Sequence, residues 1–556
     1  MSMNDVGMHR RELIGKMGIG AGIAALGSGS SVCADQGTSQ DTIIRGDFSI
    51  LDFGAVPDGK TLNTQAIQKA IDVCANVGGG RLVIPPGVYL SGTIVLKNNV
   101  NLHVCKNAIL LGSPSIDDYP VYRQNFPSYT DLHIRRSLIF ADSQEHIALT
   151  GEGTINGNGK ADAFQTNKGN DHRRPTMIRF VRCKYVKVQD LFLTQSAHWA
   201  QHYLACENMQ ISRLRIFNHA NFNNDGMDID GCDKVTVSDC IIDSDDDGIC
   251  MKGCSGYSCK NITINNCVVA SHCNPIKCGT ETTSGFENIN ITNCVVKTSV
   301  VDHFVNGLRE GRSAIALMIV DGGVMKNVNV SNIVASGIHT PIYIRLGNRA
   351  RKHHENAAEP QIGSVSNIAI QNLTAVNSGK IACNISGLPN AYVENVRLEN
   401  ISISSRGGGT LEDADREVPL KEKKYPNHNA LGTLPGYGFY VRYVRDIVFR
   451  NVKLELTGPD ERPAMVFDTV EKAIINMLNA ELRSESQPLI HLINVRGAFI
   501  ANTPFVNGVN TFLKVSGNHS RQVILKDNNF LDVKEPFHFD KDVDPKEVIS
   551  SGNLTA

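Results

Sequence analysis

Short runs in which apolar and polar side chains alternate recur along most of this chain. Residues 186–191 read VKVQDL, 235–240 VTVSDC, 262–267 ITINNC, 289–294 INITNC and 328–333 VNVSNI. Runs of the same kind follow at 211–214, 368–373, 396–401 and 447–452. Alternation with a period of two marks strands with one buried face. The early runs return roughly every 23 to 27 residues and later intervals lengthen, as in a repeat architecture with loops intruding. Many runs end in Asn before a small or apolar residue, which is turn chemistry. The pattern predicts an all-β solenoid, a parallel β-helix, whose coils bury their inward side chains only by stacking on one another. A sandwich or propeller needs tight antiparallel hairpins, and regular Asn-Gly or Asp-Gly pairs are missing at the spacing they require. Cys240, Cys267 and Cys294 hold equivalent places in three successive runs and predict a stacked ladder of small apolar side chains.

The N-terminal part reads differently. Residues 48–53 are strand-like and 54–59 turn-like, but 63–76 have helical spacing, with Ala66, Ile67, Ala70, Ile71, Val73 and Cys74 on one stripe. Asn63 or Thr64 is the expected cap and Gly78 to Gly80 the stop. A short capping helix here would plug the open end of the sheet stack and protect its edges. Strand-like runs follow at 81–85, 88–96, 100–104 and 108–111. Long inserts leave the pattern at 113–136, 301–312, 349–363 and 406–437. In a solenoid such inserts gather on one face and often build the binding cleft. The third carries Arg349, Arg351, Lys352, His353 and His354, which could grip a carboxylate or form a solvated basic loop.

Arg10-Arg11 precede an apolar, Gly/Ala-rich run at 17–26, then small residues and Cys33-Ala34. This resembles a bacterial twin-arginine signal. Residues 1–40 are therefore read as signal and linker, and 45–556 as one β-helix domain. The protein is expected to be exported, to the periplasm or outside the cell. Cys33 is a candidate lipid anchor, although Val32 before it fits poorly. No other segment is apolar for long enough to span a membrane. The 55 basic and 56 acidic residues nearly cancel, which argues against broad binding to nucleic acid. The 15 cysteines are an odd number without the pairwise spacing of a zinc site, so neither metal nor other cofactor is expected. Oligomeric state stays open.

Chemistry concentrates at 221–253. Asn223-Asn224-Asp225-Gly226, with Asp228 behind, is separated by one strand pattern from Asp245-Asp246-Asp247-Gly248. Asx-Gly pairs are ordinary turn residues. Three carboxylates returning at one-coil spacing are a stronger signal, because stacking would bring Asp225 to Asp246 and Asp247 on one face. Crowded carboxylates cannot all ionise freely, so one is expected to hold a proton near neutral pH. A protonated acid beside ionised carboxylates is what glycoside hydrolysis needs. Adjacent strand residues point to opposite faces, so Asp246 and Asp247 require a local bend, which Gly248 can supply.

The motifs, in order, resemble the polygalacturonase-like glycoside hydrolases of family 28. Gly151-Glu152-Gly153-Thr154-Ile155-Asn156-Gly157-Asn158-Gly159 is similar to the family's G-x-G-x-I-D-G-x-G turn. Ser196-Ala197-His198-Trp199, with His202, resembles S-P-x-W-x-x-H, and residues 223–228 resemble N-T-D-G-x-D. Residues 246–252 resemble D-D-C-I-A-x-K, and Gly279-Thr280-Glu281 resembles a G-S-E stretch. The resemblance runs from about residue 48 to 452. It implies a right-handed parallel β-helix and an inverting hydrolase acting on a pectic polysaccharide or oligosaccharide. It implies Asp247 as general acid, with Asp225 and Asp246 activating water, and Asn223, Asp228, Lys252 and His272 near substrate.

Two motifs depart. The family's G-H-G should fall near 271–276, where the sequence reads SHCNPI, so His272 is early and Cys273 or Asn274 takes its place. The R-I-K that meets the substrate carboxylate should fall near Ala316-Leu317-Met318, none of which is charged. Lys277, Arg312 and Arg345 are candidate substitutes. Galacturonan, rhamnogalacturonan or another decorated plant polysaccharide all fit, with inserts favouring exo action. A lyase or epimerase on the same fold, using Lys252 as base and calcium on the carboxylates, is the alternative enzyme reading. A carbohydrate-binding solenoid without turnover is the alternative outside catalysis.

Overall fold

Parallel strands stack in successive coils, as the alternation predicts. The computed structural model describes residues 46–132, 134–165, 173–303, 308–506 and 509–555. These lie in one unit, Ile44–Ala556. The Arg10-Arg11 segment and Cys33 fall outside the described residues. Each central coil contributes strands to three faces. One face holds Met227–Asp230, Ile249–Gly253, Ile276–Thr282, Ser313–Ile319 and Thr340–Leu346. The next holds Asp233–Ser238, Cys259–Asn265 and the start of Gly285–Lys297. The third holds Arg215–Asn218, Ile241–Ser244 and Val268–Ser271. All three pair in parallel from coil to coil. Inward residues such as Ile229, Met251, Cys278 and Leu317 form one continuous buried core.

The helix at the N-terminal end is Thr64–Asn76, with Ile67, Ala70, Ile71 and Cys74 buried against the first coils. Its cap differs from expectation. The Asn63 side chain does not cap the helix; it accepts from Val56 N and donates to Thr61 O, and so fastens the preceding turn. Thr64 Oγ1 accepts from Gly92 N, tying the helix start to the second coil.

The recurrent Asn residues explain the corners. Asn293, Asn332, Asn372, Asn400 and Asn451 all have φ between 53° and 56°, the left-handed region that Asn tolerates best after Gly. Their amides form a ladder: each Nδ2 donates to the Oδ1 one coil below, at 2.9, 3.0, 2.9 and 2.8 Å. A second ladder joins Asn261, Asn288, Asn327, Asn367 and Asn395. The thiols stack as well. Cys240, Cys267 and Cys294 are buried, and each donates to the carbonyl two residues before it. Cys206 and Cys232 join a further stack that the repeats did not reveal, with Cys206 N donating to Cys232 Sγ.

A middle rung tests this account. Asn332→Ala removes two amide bonds and strains a left-handed residue, so it should cost about 1–2 kcal/mol. Asn332→Gly keeps the backbone and should cost less. Denaturant midpoints for the two variants read the difference, and an Ala variant as stable as the parent would overturn it.

Candidate active site

Register brings the aspartates together. Met227 pairs with Ile249, and Ile249 with Ile276. Counting back two residues in each coil puts Asp225, Asp247 and Asn274 in one column. Asn224, Asp246 and Cys273 form the adjacent column. The stack is sealed by Gly226 N donating to Asp247 O and Gly248 N donating to Asn274 O, both at 2.9 Å. Gly226 and Gly248 permit this approach, since a Cβ on Gly226 would lie 2.6 Å from Gly248 O. Asp246 and Asp247 sit in the bend before the strand Ile249–Gly253, so the local turn that two adjacent acids need to share one site is present. Ser244 Oγ holds it by donating to the carbonyls of Asp246 and Asp247.

The carboxylates differ in surroundings. Asp247 is buried; its Oδ2 accepts from Lys277 Nζ at 2.6 Å and its Oδ1 from Asn274 Nδ2 at 2.7 Å. Burial alone would raise its pKa, but Lys277 and then Lys252 outweigh burial, and the carboxyl lies below the ordinary aspartate range. Asp225 is buried without a cation against it, and its Oδ1 has no hydrogen-bond partner among the described residues. Burial, then Asp228 and Asp246, push its carboxyl well above the ordinary range. Burial also pushes Asp228 up to about 8, with Lys252 at 3.4 Å pulling the other way. The cluster therefore holds a proton on the Asp225 and Asp228 side while Asp247 stays charged. Asp246 is half-buried. Its Oδ1 accepts from Asp247 N at 3.0 Å and its Oδ2 from Asn223 Nδ2 at 3.4 Å. Among the described residues no cation pairs with it.

Of the other residues singled out, Lys252 and Lys277 line this site. Lys252 bridges Asp228 and Glu281 Oε2, the latter at 3.2 Å, and lies 4.7 Å above the centre of the Trp199 ring. Burial opposes the charge of both lysines, but neighbouring anions raise them well above the ordinary lysine range. Asn223 is braced by Arg174 Nη2 at 3.1 Å. Arg312 falls in the column of Asp246 and Cys273, its N donating to Cys273 O. Its guanidinium is buried and Nε has no partner among the described residues. Arg345 is used elsewhere: it donates to Ser386 Oγ at 3.0 Å and Leu420 O at 2.6 Å, anchoring the 406–437 insert. His272 does not face the aspartate pair; it is buried against Asp245.

Several neighbours carried no assigned role from the sequence. Asn274 occupies the register position that G-H-G would give to histidine; the column of Asp225 and Asp247 identifies it. Ala316, in the R-I-K region, pairs with Lys277 and packs with Met318 and Tyr343 as an apolar patch. Tyr425, from the 406–437 insert, reaches over the site, its hydroxyl 3.4 Å from Thr280 Oγ1. Arg349 lies 5.1 Å over its ring, with Nη1 buried and unpartnered among the described residues. Arg351 is spent on Asp321 at 2.8 Å and Glu281 at 3.4 Å.

Comparison with known proteins gives the same direction. The chain matches the profile of Glycosyl hydrolases family 28 over residues 74–420. It is 33% identical over 215 residues to a probable polygalacturonase of Vitis vinifera, across 37% of this chain and 44% of that one. It is 27% identical over 276 residues to an exo-poly-alpha-D-galacturonosidase of Dickeya chrysanthemi, across 39% and 45%. The chain thus spans about half the length of the curated relatives it matches. The solved family 28 exopolygalacturonase of Yersinia enterocolitica superposes with a TM-score of 0.62 at 21% identity, over 79% of this chain and 78% of that one. An exopolygalacturonase of Thermotoga maritima superposes with 0.58 at 23% identity, over 74% and 92%. These structural likenesses are of fold, a right-handed parallel β-helix. With the profile covering more than half of the sequence, the chain belongs to glycosyl hydrolases family 28.

Proposed function

We propose that this chain is an inverting glycoside hydrolase of pectic chains, cleaving beside a galacturonate-type sugar. The observation that carries the reading is the stacked corner, where Asp225 and Asp247 share a column in neighbouring coils, with Asp246 beside them. The charge pattern divides the work. Asp247, kept ionised by Lys277, takes the proton of the attacking water. Asp225 holds that water through its unpartnered Oδ1. Asp246, the half-buried member of the three, donates to the glycosidic oxygen. This moves the acid from Asp247, which the resemblance implied, because a carboxylate with an ammonium at 2.6 Å stays ionised and has no proton to donate. Arg312 and Arg349, each with a buried nitrogen unpartnered among the described residues, receive the uronate carboxylate in place of R-I-K. Lys252 is tied to Asp228 and Glu281 and kept charged, which weighs against a lyase base.

No helix among the described residues is long and apolar enough to cross a membrane. Export rests on the Arg10-Arg11 segment. Exo action is supported by the inserts that pack over the site.

Purified protein should release reducing ends from polygalacturonate or rhamnogalacturonan without the ultraviolet absorbance of unsaturated uronates. Absorbance would sink the hydrolase in favour of a lyase. Fresh product followed by proton NMR should appear first with the anomeric configuration opposite to that of the bond cleaved; retention would refute inversion. Asp246→Asn and Asp247→Asn should each lower kcat at least about a hundredfold on polysaccharide. A substrate with an activated aryl leaving group needs no acid, so it should rescue Asp246→Asn and leave Asp247→Asn inactive. Rescue in the reverse order would return the acid to Asp247.

Arg312→Ala should reduce kcat/KM by about tenfold or more, mostly through KM, as expected for losing a charged hydrogen bond. An unchanged KM would remove Arg312 from the carboxylate pocket.

The same charges set stability. Asp228 is raised to about 8 in the fold from 3.8, so its stabilising contribution is complete below about pH 4 and is lost as pH rises through 8. Asp228→Asn should therefore melt with the parent near pH 4 and above it by about 2 °C or more at pH 8. Thermal melts across that range decide, and a constant gap would refute the shift.

A further inference from the structure

Beside the aspartate corner lies a second cluster, which the reaction above does not use. Asn218, Ser244 and Ser271 pair in register at the ends of three stacked strands. The residues that follow them, His219, Asp245 and His272, therefore sit on three successive rungs at one corner. His303, from the 301–312 insert, closes over them. Asp245 Oδ1 lies 3.2 Å from His272 Nδ1 and 3.0 Å from His303 Nε2, and bonds His219 Nδ1. All four candidate ligand atoms lie within 4.8 Å of one another.

The outer ring nitrogens are already committed. His219 Nε2 donates to Asp243 Oδ1 at 3.2 Å, and His272 Nε2 donates to Val301 O at 2.8 Å. A neutral His272 so bound carries its proton on Nε2, leaving a bare lone pair on Nδ1. That Nδ1 is buried, has no hydrogen-bond partner among the described residues, and faces a carboxylate oxygen. Two lone pairs at 3.2 Å repel unless a cation lies between them. Ligating histidines characteristically give their second N–H to a carboxylate or a backbone carbonyl, as both do here. Three imidazoles and one carboxylate suit a four-coordinate zinc ion, whose ligand atoms lie about 3.3 Å apart when bonds are about 2.0–2.1 Å.

We propose that His219, Asp245, His272 and His303 form a divalent transition-metal site, zinc in the first instance, that fastens His303 to the corner beside the aspartates. The site is structural. It closes through His303 at the insert's start, and the same insert ends in Arg312. The expectation of no metal came from cysteine spacing and could not detect three histidines scattered over three elements.

The test uses the full chain without a histidine tag, stripped by a chelator and then titrated with Co2+. One Co2+ per chain should bind with the visible bands of four-coordinate cobalt, and Zn2+ should displace it. His303→Gln, at a half-exposed position that leaves the coils intact, should weaken binding by about tenfold or more. His353→Gln with His354→Gln should leave it unchanged. Zn2+ should raise the melting temperature of the parent and not of His303→Gln. Absence of the cobalt spectrum in the intact chain would overturn the site. Binding that survives His303→Gln, or disappears with the His353 and His354 changes, would place the metal elsewhere and equally overturn it.

Discussion

Hydrogen bonding between successive coils is the constraint on which this molecule depends. Parallel pairing fixes neighbouring strands about 4.8 Å apart and forbids sliding, since a one-residue slip would turn every inward side chain outward. Corner residues far apart in sequence are thereby held one above another. Asp225, Asp247 and Asn274 converge for that reason, as do His219, Asp245 and His272 on the other side of the same turn. The Asn ladders are the outward expression of the same spacing.

The corner brings like charges together in a poorly solvated place, and the fold settles the conflict unequally. Lys277 meets Asp247 directly, and Lys252 sits between Asp228 and Glu281. Asp225 pairs directly with neither; Lys252 draws its carboxyl down, but burial and Asp228 outweigh it and leave it to hold a proton. The asymmetry comes from which coil supplies which cation: Lys277 is one register step from Cys250, and Asp228 is one step on the other side. Position in the stack, more than residue type, separates a carboxyl that stays ionised from one that holds its proton.

The fold and the aspartates were legible because both follow short-range rules. Period-two alternation gave the strands, and one-coil spacing gave the approach of Asp225 to Asp246 and Asp247. The substitutes for missing motifs were legible only in part. Arg312 and Lys277 do reach the site, but Arg345 anchors a loop and His272 turns to Asp245. Nothing in a linear pattern states which way a corner residue points. Asn274 needed the register of three coils before it could be matched to Asp247. Tyr425 and Arg349 come from inserts whose conformations obey no repeat, so only the folded chain brings them over Thr280. Asn63 shows the same limit on a small scale: its side chain had a cap within reach and took Val56 and Thr61 instead.

Tyr425 lies 145 residues beyond the Thr280 it touches. The carboxylates and lysines, by contrast, all come from coils that adjoin in sequence. A nascent chain growing from its N-terminus thus completes its aspartate corner long before the loop that carries Tyr425 has been made. The reactive corner can also stay constant while the distant loop is lengthened, shortened or exchanged. The carboxylate corner and the loop over it are written in separate passages of the chain, and each can be revised without rewriting the other.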